Sequence, residues 1–289
     1  MLDFVICDVF TDRPFSGNPL AIVMDADGLS AAQMQIIARQ FNLSETIFVI
    51  APRDPAHTAR VRIFFPTAEI PFAGHPTIGC ALHLAGGADG RIVLEEEAGL
   101  VPVTIRDGVA EFVAPRLPVA HGAVPDAGLI AAALDLSSGD LGFDRHRVGC
   151  WQGGPAFLFV PVADGAALVR ARPVEPYWSR LMAAADVDSA YLYTPDGGGF
   201  RARMFSPTAG IPEDPATGSA SALLAAQFLA AGDLAQGETR IALRQGVEMG
   251  RPSEIGLTVV VSGAWLAEIR VAGRAVSMAQ GRIRIPEVG

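Results

Sequence analysis

The segment RIFFPTAEIP (residues 62–71) returns 141 residues later as RMFSPTAGIP (residues 203–212). Solenoids and propellers repeat at about 20–50 residues, so one match at this distance points to a single duplication with one structural unit per half. Weaker matches keep the same order. GNPLAIV at Gly17 resembles GGPAFLFV at Gly153, LSETIFV at Leu43 resembles VDSAYLY at Val187, and His75-Pro76 and Gly79 answer to Asp214-Pro215 and Gly218. With 289 residues, 50% of them hydrophobic, the chain can bury a core in each half.

Both halves run through the same elements. The apolar, β-branched stretch AIVMD predicts a strand, and Ser30 is placed to cap a helix over AAQMQIIARQF, with Met34, Ile37, Ala38 and Phe41 on one face. The second half offers PYWSRLMAAA at that place, with Pro176 in the permitted first turn. Strands TIFVI and VRIFF answer to AYLY and RARMF. A Pro/Gly-rich loop then leads into a helix apolar on nearly every side, TIGCALHLA or ATGSASALLAAQFLA. Such a helix is buried all round. The expected fold is therefore α+β: two pseudo-symmetric domains, each a curved, mostly antiparallel sheet wrapped around a central buried helix. The Pro-containing stretch 114–128 connects them, giving halves of 1–118 and 119–289. The final strand is free to belong to either.

Charge and cysteine usage exclude several classes. A net charge of −9 without a Lys/Arg run repels nucleic acid and anionic membranes. The amino terminus, MLDFVICDVF, is too short and acidic for a secretion signal, and no apolar run reaches the ~20 residues of a spanning helix, so a cytoplasmic location is expected. Cys7, Cys80 and Cys150 lack CxxC spacing and read as buried thiols, and His57, His83, His121 and His146 show no metal-ligand spacing. No metal is expected, and no P-loop or Rossmann signature occurs. Glu95, Glu96 and Glu97 read as a solvated loop or edge-strand device.

Chemistry is expected where the two matched loops meet their helices, because a helix N-terminus presents unpaired N–H groups and partial positive charge. One loop reads Ala73-Gly74-His75-Pro76-Thr77-Ile78-Gly79; the other reads Glu213-Asp214-Pro215-Ala216-Thr217-Gly218-Ser219. Asp214 can cap its helix, and Gly218 allows close backbone approach. Such loops alone would merely be well-capped helices. Their equivalence, with His75 and Asp214 at matching places, is what a proton-transfer site would recruit. Glu45 is the third element. Its counterpart is Ser189, so one half alone carries the carboxylate. Taken by itself Glu45 could be a solvated strand-end residue; partial burial beside its apolar strand would instead raise its pKa.

The segments FTDRPFSGNPLAIV, FNLSETIFV, PTAEIPFAGHPTIGCA and EDPATGSASALLA resemble the PhzF-like, phenazine-biosynthesis family, and the similarity covers nearly the whole chain. The resemblance implies a diaminopimelate-epimerase-like fold, a homodimer, and cofactor-independent isomerisation of a small carboxylate-bearing substrate, in which a carboxylate moves a proton. That carboxylate falls on Glu45. By the same resemblance His75 and Asp214 join it in catalysis, while Asn18, Gly74, Gly218 and Ser219 bind substrate.

Two other functions fit less well. A racemase using one cysteine from each half would need thiols at the loop positions that Gly74 or His75 and Asp214 occupy, and Cys80 lies on the helix opposite Ser219 in the repeat. An amino- or hydroxy-acid racemase without a cysteine pair stays open. So does a non-catalytic small-molecule binding protein.

Overall fold

The computed structural model of the protein describes residues 1–287. By contacts the chain divides into one unit of Met1–Pro115 together with the stretch from Val271 onward, and a second of Arg116–Arg270.

The first unit opens with β1 (Leu2–Val9) and β2 (Asn18–Val23), which pair antiparallel. Helix α1 (Ala31–Phe41) then crosses to β3 (Glu45–Ile50), which runs parallel to β2. The predicted cap is present: Ser30 Oγ accepts from Gln33 N at 3.3 Å, and Gln33 Oε1 accepts from Ser30 N at 2.9 Å. Met34, Ile37 and Ala38 turn inward onto Phe48 and Phe64. Strand β4 (Ala59–Phe64) forms a hairpin with β3, followed by β5 (Glu69–Ile70) and α2 (Gly74–Ala85). Strand β6 (Gly90–Glu96) lies parallel to β4, and β7 (Gly99–Arg106) and β8 (Val109–Val113) continue as a meander.

In the second unit β9 (Val119–Ala120) and α3 (Ala127–Ala133) precede β10 (Gly149–Gln152) and β11 (Ala156–Pro161). Helices α4 (Gly165–Arg170) and α5 (Tyr177–Ala185) make the crossover to β12 (Ala190–Asp196), parallel to β11. Strands β13 (Gly199–Ser206) and β14 (Ile211–Asp214) lead to α6 (Gly218–Ala231). Strand β15 (Gly237–Gln245) runs parallel to β13 and pairs with β16 (Ser253–Ser262). Strand β17 (Trp265–Gly273) carries the chain back, and β18 (Ala275–Ile283) pairs antiparallel with β1 in the first unit.

Each unit is thus a mostly antiparallel sheet with two parallel pairs at equivalent places, and a central helix, α2 or α6. Helix α2 touches β1, β2, β3, β6, β7, β8 and β18, and its first eight residues are buried. A Cβ on Gly79 would lie 2.7 Å from methyls of both Leu20 and Val9, so glycine lets the helix sit on β1 and β2. Helix α6 is buried over most of its length, polar Gln227 included. The Gln227 amide is satisfied there: Oε1 accepts from Trp151 Nε1 at 2.8 Å and Nε2 donates to the Arg147 carbonyl at 2.8 Å.

The structure corrects several local expectations. Helix α2 starts at Gly74, three residues before the apolar run begins, because Pro76 is compatible with a first turn. His75 is therefore helical. Pro176 occupies the cap position of α5, not the first turn. Two of the three glutamates are not solvated: Glu95 accepts from Arg53 N and Asp54 N at 3.0 Å and contacts His57 Nδ1 at 2.8 Å, and Glu96 is buried, while Glu97 is exposed as expected. Trp178 is fully buried in the core, whereas Trp265 is 77% exposed.

Candidate active site

In the first unit three strand and helix starts converge. Asn18 opens β2, Glu45 opens β3 opposite Leu20, and His75 sits in the first turn of α2 beside Gly74. All four are buried, Asn18 fully and His75 to 2% exposure. Glu45 Oε2 lies 3.2 Å from His75 Nδ1, and Asn18 Nδ2 lies 3.4 Å from the same nitrogen. Burial pushes the imidazole pKa down to about 3, partly offset by the backbone at Pro19, so His75 is neutral at pH 7.

A neutral imidazole uses Nδ1 either as donor or as acceptor. The Asn18 amide can donate to it, while Glu45 Oε2 approaches the same nitrogen as a close polar contact outside hydrogen-bond geometry.

In the second unit the repeat position of Glu45 is filled differently. Ser189 Oγ donates to Ser206 Oγ at 2.8 Å, so a hydroxyl pair closes the start of β12 and no carboxylate stands there. Asp214 ends β14 and is buried. It does not cap α6 as expected; the cap residue is Thr217, whose hydroxyl lies 2.6 Å from Asp214 Oδ2. Gly218 opens the helix, buried, and Ser219 follows half-buried in its first turn.

Side chains cap α1, α3 and α4 (Ser30, Asp126 and Asp164), whereas no side chain caps α2 or α6. Helix α5, which begins after Pro176, likewise lacks a side-chain cap, so an open N-terminus is shared by three helices and the N–H groups at the start of α2 and α6 stay unclaimed by a cap side chain.

Two residues that the sequence analysis did not single out belong to this geometry. Gln245, at the end of β15 and fully buried, brackets the Asp214 turn: its Oε1 accepts from Thr217 N at 3.1 Å, and its Nε2 donates to the Asp214 carbonyl at 2.7 Å and to Thr217 Oγ1 at 3.0 Å. Thr217 is the other. Gln245 lies 31 residues beyond Asp214 in a strand of alternating polarity, so only the parallel pairing of β15 with β13 delivers it.

The three cysteines are buried free thiols. Burial, with Asp8 nearby, raises the Cys7 pKa to about 12, burial raises that of Cys150 to about 11, and Cys80 is likewise pushed up. None offers a thiolate at neutral pH. Among the described residues, no group of three His, Cys, Asp or Glu side chains is arranged to hold a metal ion.

Comparison with known proteins agrees with this architecture. Residues 7–281 match the family model described as phenazine biosynthesis-like protein. An isomerase of Mesorhizobium japonicum, itself uncharacterized, is 42% identical, with 98% of this chain and 99% of that one covered. The trans-2,3-dihydro-3-hydroxyanthranilate isomerase of Pseudomonas aeruginosa is 35% identical, with 96% and 98% covered. Among solved structures, a PhzF-family phenazine biosynthesis protein of Bacillus anthracis superposes with a TM-score of 0.87 at 25% identity, covering 98% of this chain and 99% of the other. The chain belongs to the phenazine biosynthesis-like (PhzF) family and is an isomerase.

Proposed function

We propose that the chain catalyses cofactor-independent proton transfer on a small carboxylate-bearing substrate, cyclic ones included, with Glu45 as the group that removes a proton from one atom and returns it to another. The observation that carries this reading is the buried Glu45 carboxyl with its Oε2 3.2 Å from Nδ1 of a neutral His75. Neutral His75 positions the Glu45 carboxyl from the first turn of α2. Within the first unit Asn18 orients the substrate and the backbone at Gly74 faces developing negative charge; Asp214, Gly218 and Ser219 are assigned to substrate by the family resemblance.

Because the curated relative at 35% identity isomerises trans-2,3-dihydro-3-hydroxyanthranilate, that compound is the first substrate to assay. A homodimer, which the family resemblance supports, and a cytoplasmic location, which the acidic amino terminus supports, complete the proposal. No helix among the described residues is long and apolar enough to cross a membrane.

The test is Glu45→Gln, which keeps shape and removes the titratable proton. Turnover is expected to fall by roughly 10²–10⁴-fold, with unchanged circular dichroism. Incorporation of solvent deuterium into product should fall with it. Full turnover by the folded variant removes Glu45 from the mechanism.

A further inference from the structure

We propose that Gln245 is a positioning residue that acts through Thr217 to hold Asp214 as a hydrogen-bond acceptor. The inference rests on the placement of Asp214 in the site described above.

The directions of the hydrogen bonds between Gln245, Thr217 and Asp214 follow from which atoms can donate. The Thr217 backbone N–H can only donate, so the Gln245 amide atom 3.1 Å from it is the oxygen. The amide nitrogen then faces the Asp214 carbonyl at 2.7 Å and Thr217 Oγ1 at 3.0 Å. An amide nitrogen only donates, so Thr217 Oγ1 accepts from it. The single hydroxyl proton of Thr217 remains for the atom 2.6 Å away, Asp214 Oδ2. That oxygen accepts, which favours the carboxylate form and leaves Oδ1 as the oxygen turned to other partners. Gly246 sets the reach of Gln245: its φ is +70°, and a Cβ there would lie 2.7 Å from the Pro215 carbonyl oxygen. Of the titratable groups around Asp214, Tyr191 on β12 is kept as the neutral phenol by burial and by the Asp214 charge, and Glu213 turns to Arg203 at 2.8 Å.

The repeat supplies independent support. Arg60 on β4 pairs with Glu95, and its repeat mate Arg201 on β13 pairs with Arg244. One residue further on, Glu96 and Gln245 are therefore equivalent. Glu96 Oε1 lies 2.7 Å from Thr77 Oγ1, which also lies 2.8 Å from the Ala73 carbonyl oxygen. Both units thus set a polar side chain at the same strand end against a threonine hydroxyl at the start of the central helix, and that hydroxyl also reaches the segment preceding the helix: the Ala73 carbonyl in the first unit, Asp214 in the second.

The experiment follows the Asp214 carboxyl by ¹³C NMR in labelled protein, assigned with Asp214→Asn, and needs no substrate. Thr217→Val and Gln245→Met should each move the Asp214 titration to higher pH, and Thr217→Ser should restore it. With trans-2,3-dihydro-3-hydroxyanthranilate, the first two should lower kcat by about 10²-fold, and the double variant should be no worse than the worse single one. An unmoved titration in folded Thr217→Val, or a Thr217→Ser variant that behaves like it, overturns the proposal. Should Thr217→Val not fold, Gln245→Met against wild type decides in the same way. Failure of the Glu45 assignment would appear instead as an active Glu45→Gln enzyme with the Asp214 response intact.

Discussion

Replacing Glu96 by Gln should make the protein more stable at neutral and alkaline pH, although it removes an ionisable group from the core. Burial lifts the Glu96 pKa from the usual 4.5 to about 8, and the contact with Thr77 only partly offsets it. From α2 the side chains facing Glu96 are Thr77 and Cys80, itself a neutral thiol; β7 brings Gly99 opposite, and on β4 Arg60 lies against Glu95 while Arg62 pairs with Glu69. No cation neutralises it among the described residues. Between pH 4.5 and 8 the folded chain therefore keeps a proton that the unfolded chain has released, and stability falls as pH rises across that window. At ~1.4 kcal/mol per pKa unit, the full difference is ~5 kcal/mol, an upper bound because a charged Glu96 would relax toward water. Glutamine has no proton to lose, and its Nε2 can donate to Thr77 as Gln245 does to Thr217. Urea unfolding followed by tryptophan fluorescence at pH 5, 6, 7 and 8 measures the effect. The variant should match wild type near pH 4.5 and gain on it steadily to pH 8. In wild type, His75 opposes this slope below pH 6.5, because its pKa near 3 makes the folded state lose stability as pH falls; subtracting the variant removes that contribution. Parallel pH dependence in the two proteins would show that Glu96 is already ionised in the fold.

The repeat-related arginines provide a second test. Arg203 is buried, donates to the carbonyls of Leu168, Val169 and Ala171 at 2.7–3.2 Å, and holds Glu213 through two bonds. Arg203→Met strands those acceptors and should cost about 3–5 kcal/mol in urea unfolding, whereas Arg62→Met, which removes one more exposed pair with Glu69, should cost about 1 kcal/mol. Equal losses would contradict the difference in burial. Gly79→Ala must push Leu20 and Val9 aside and should cost about 1–3 kcal/mol, against less than about 0.5 kcal/mol for Gly28→Ala, where a Cβ meets nothing within 4 Å. Similar melting temperatures for the two variants would refute the close approach of α2 to β1 and β2.

The order of elements, their duplication and the buried central helices were all readable from residues close together in the chain. The repeat aligned RIFFPTAEIP with RMFSPTAGIP, apolar periodicity marked α2 and α6, and Ser30 marked the start of α1. The same alignment set Glu45 against Ser189, so the one-sided carboxylate was legible before any coordinates. What the chain's linear order does not contain is register. The return of β18 to β1, more than 260 residues away in sequence, is decided by a free sheet edge and not by any local propensity. The burial of Glu95 and Glu96 follows from which strand lies beside β6, and nothing in an acidic triplet announces a loop of N–H groups or a threonine waiting to meet it. Gln245 reads locally as one more polar residue in an alternating strand. Only the parallel pairing of β15 with β13 brings its amide to the Asp214 turn, because a hydrogen bond needs two groups within about 3 Å, and that distance is set by sheet pairing rather than by sequence.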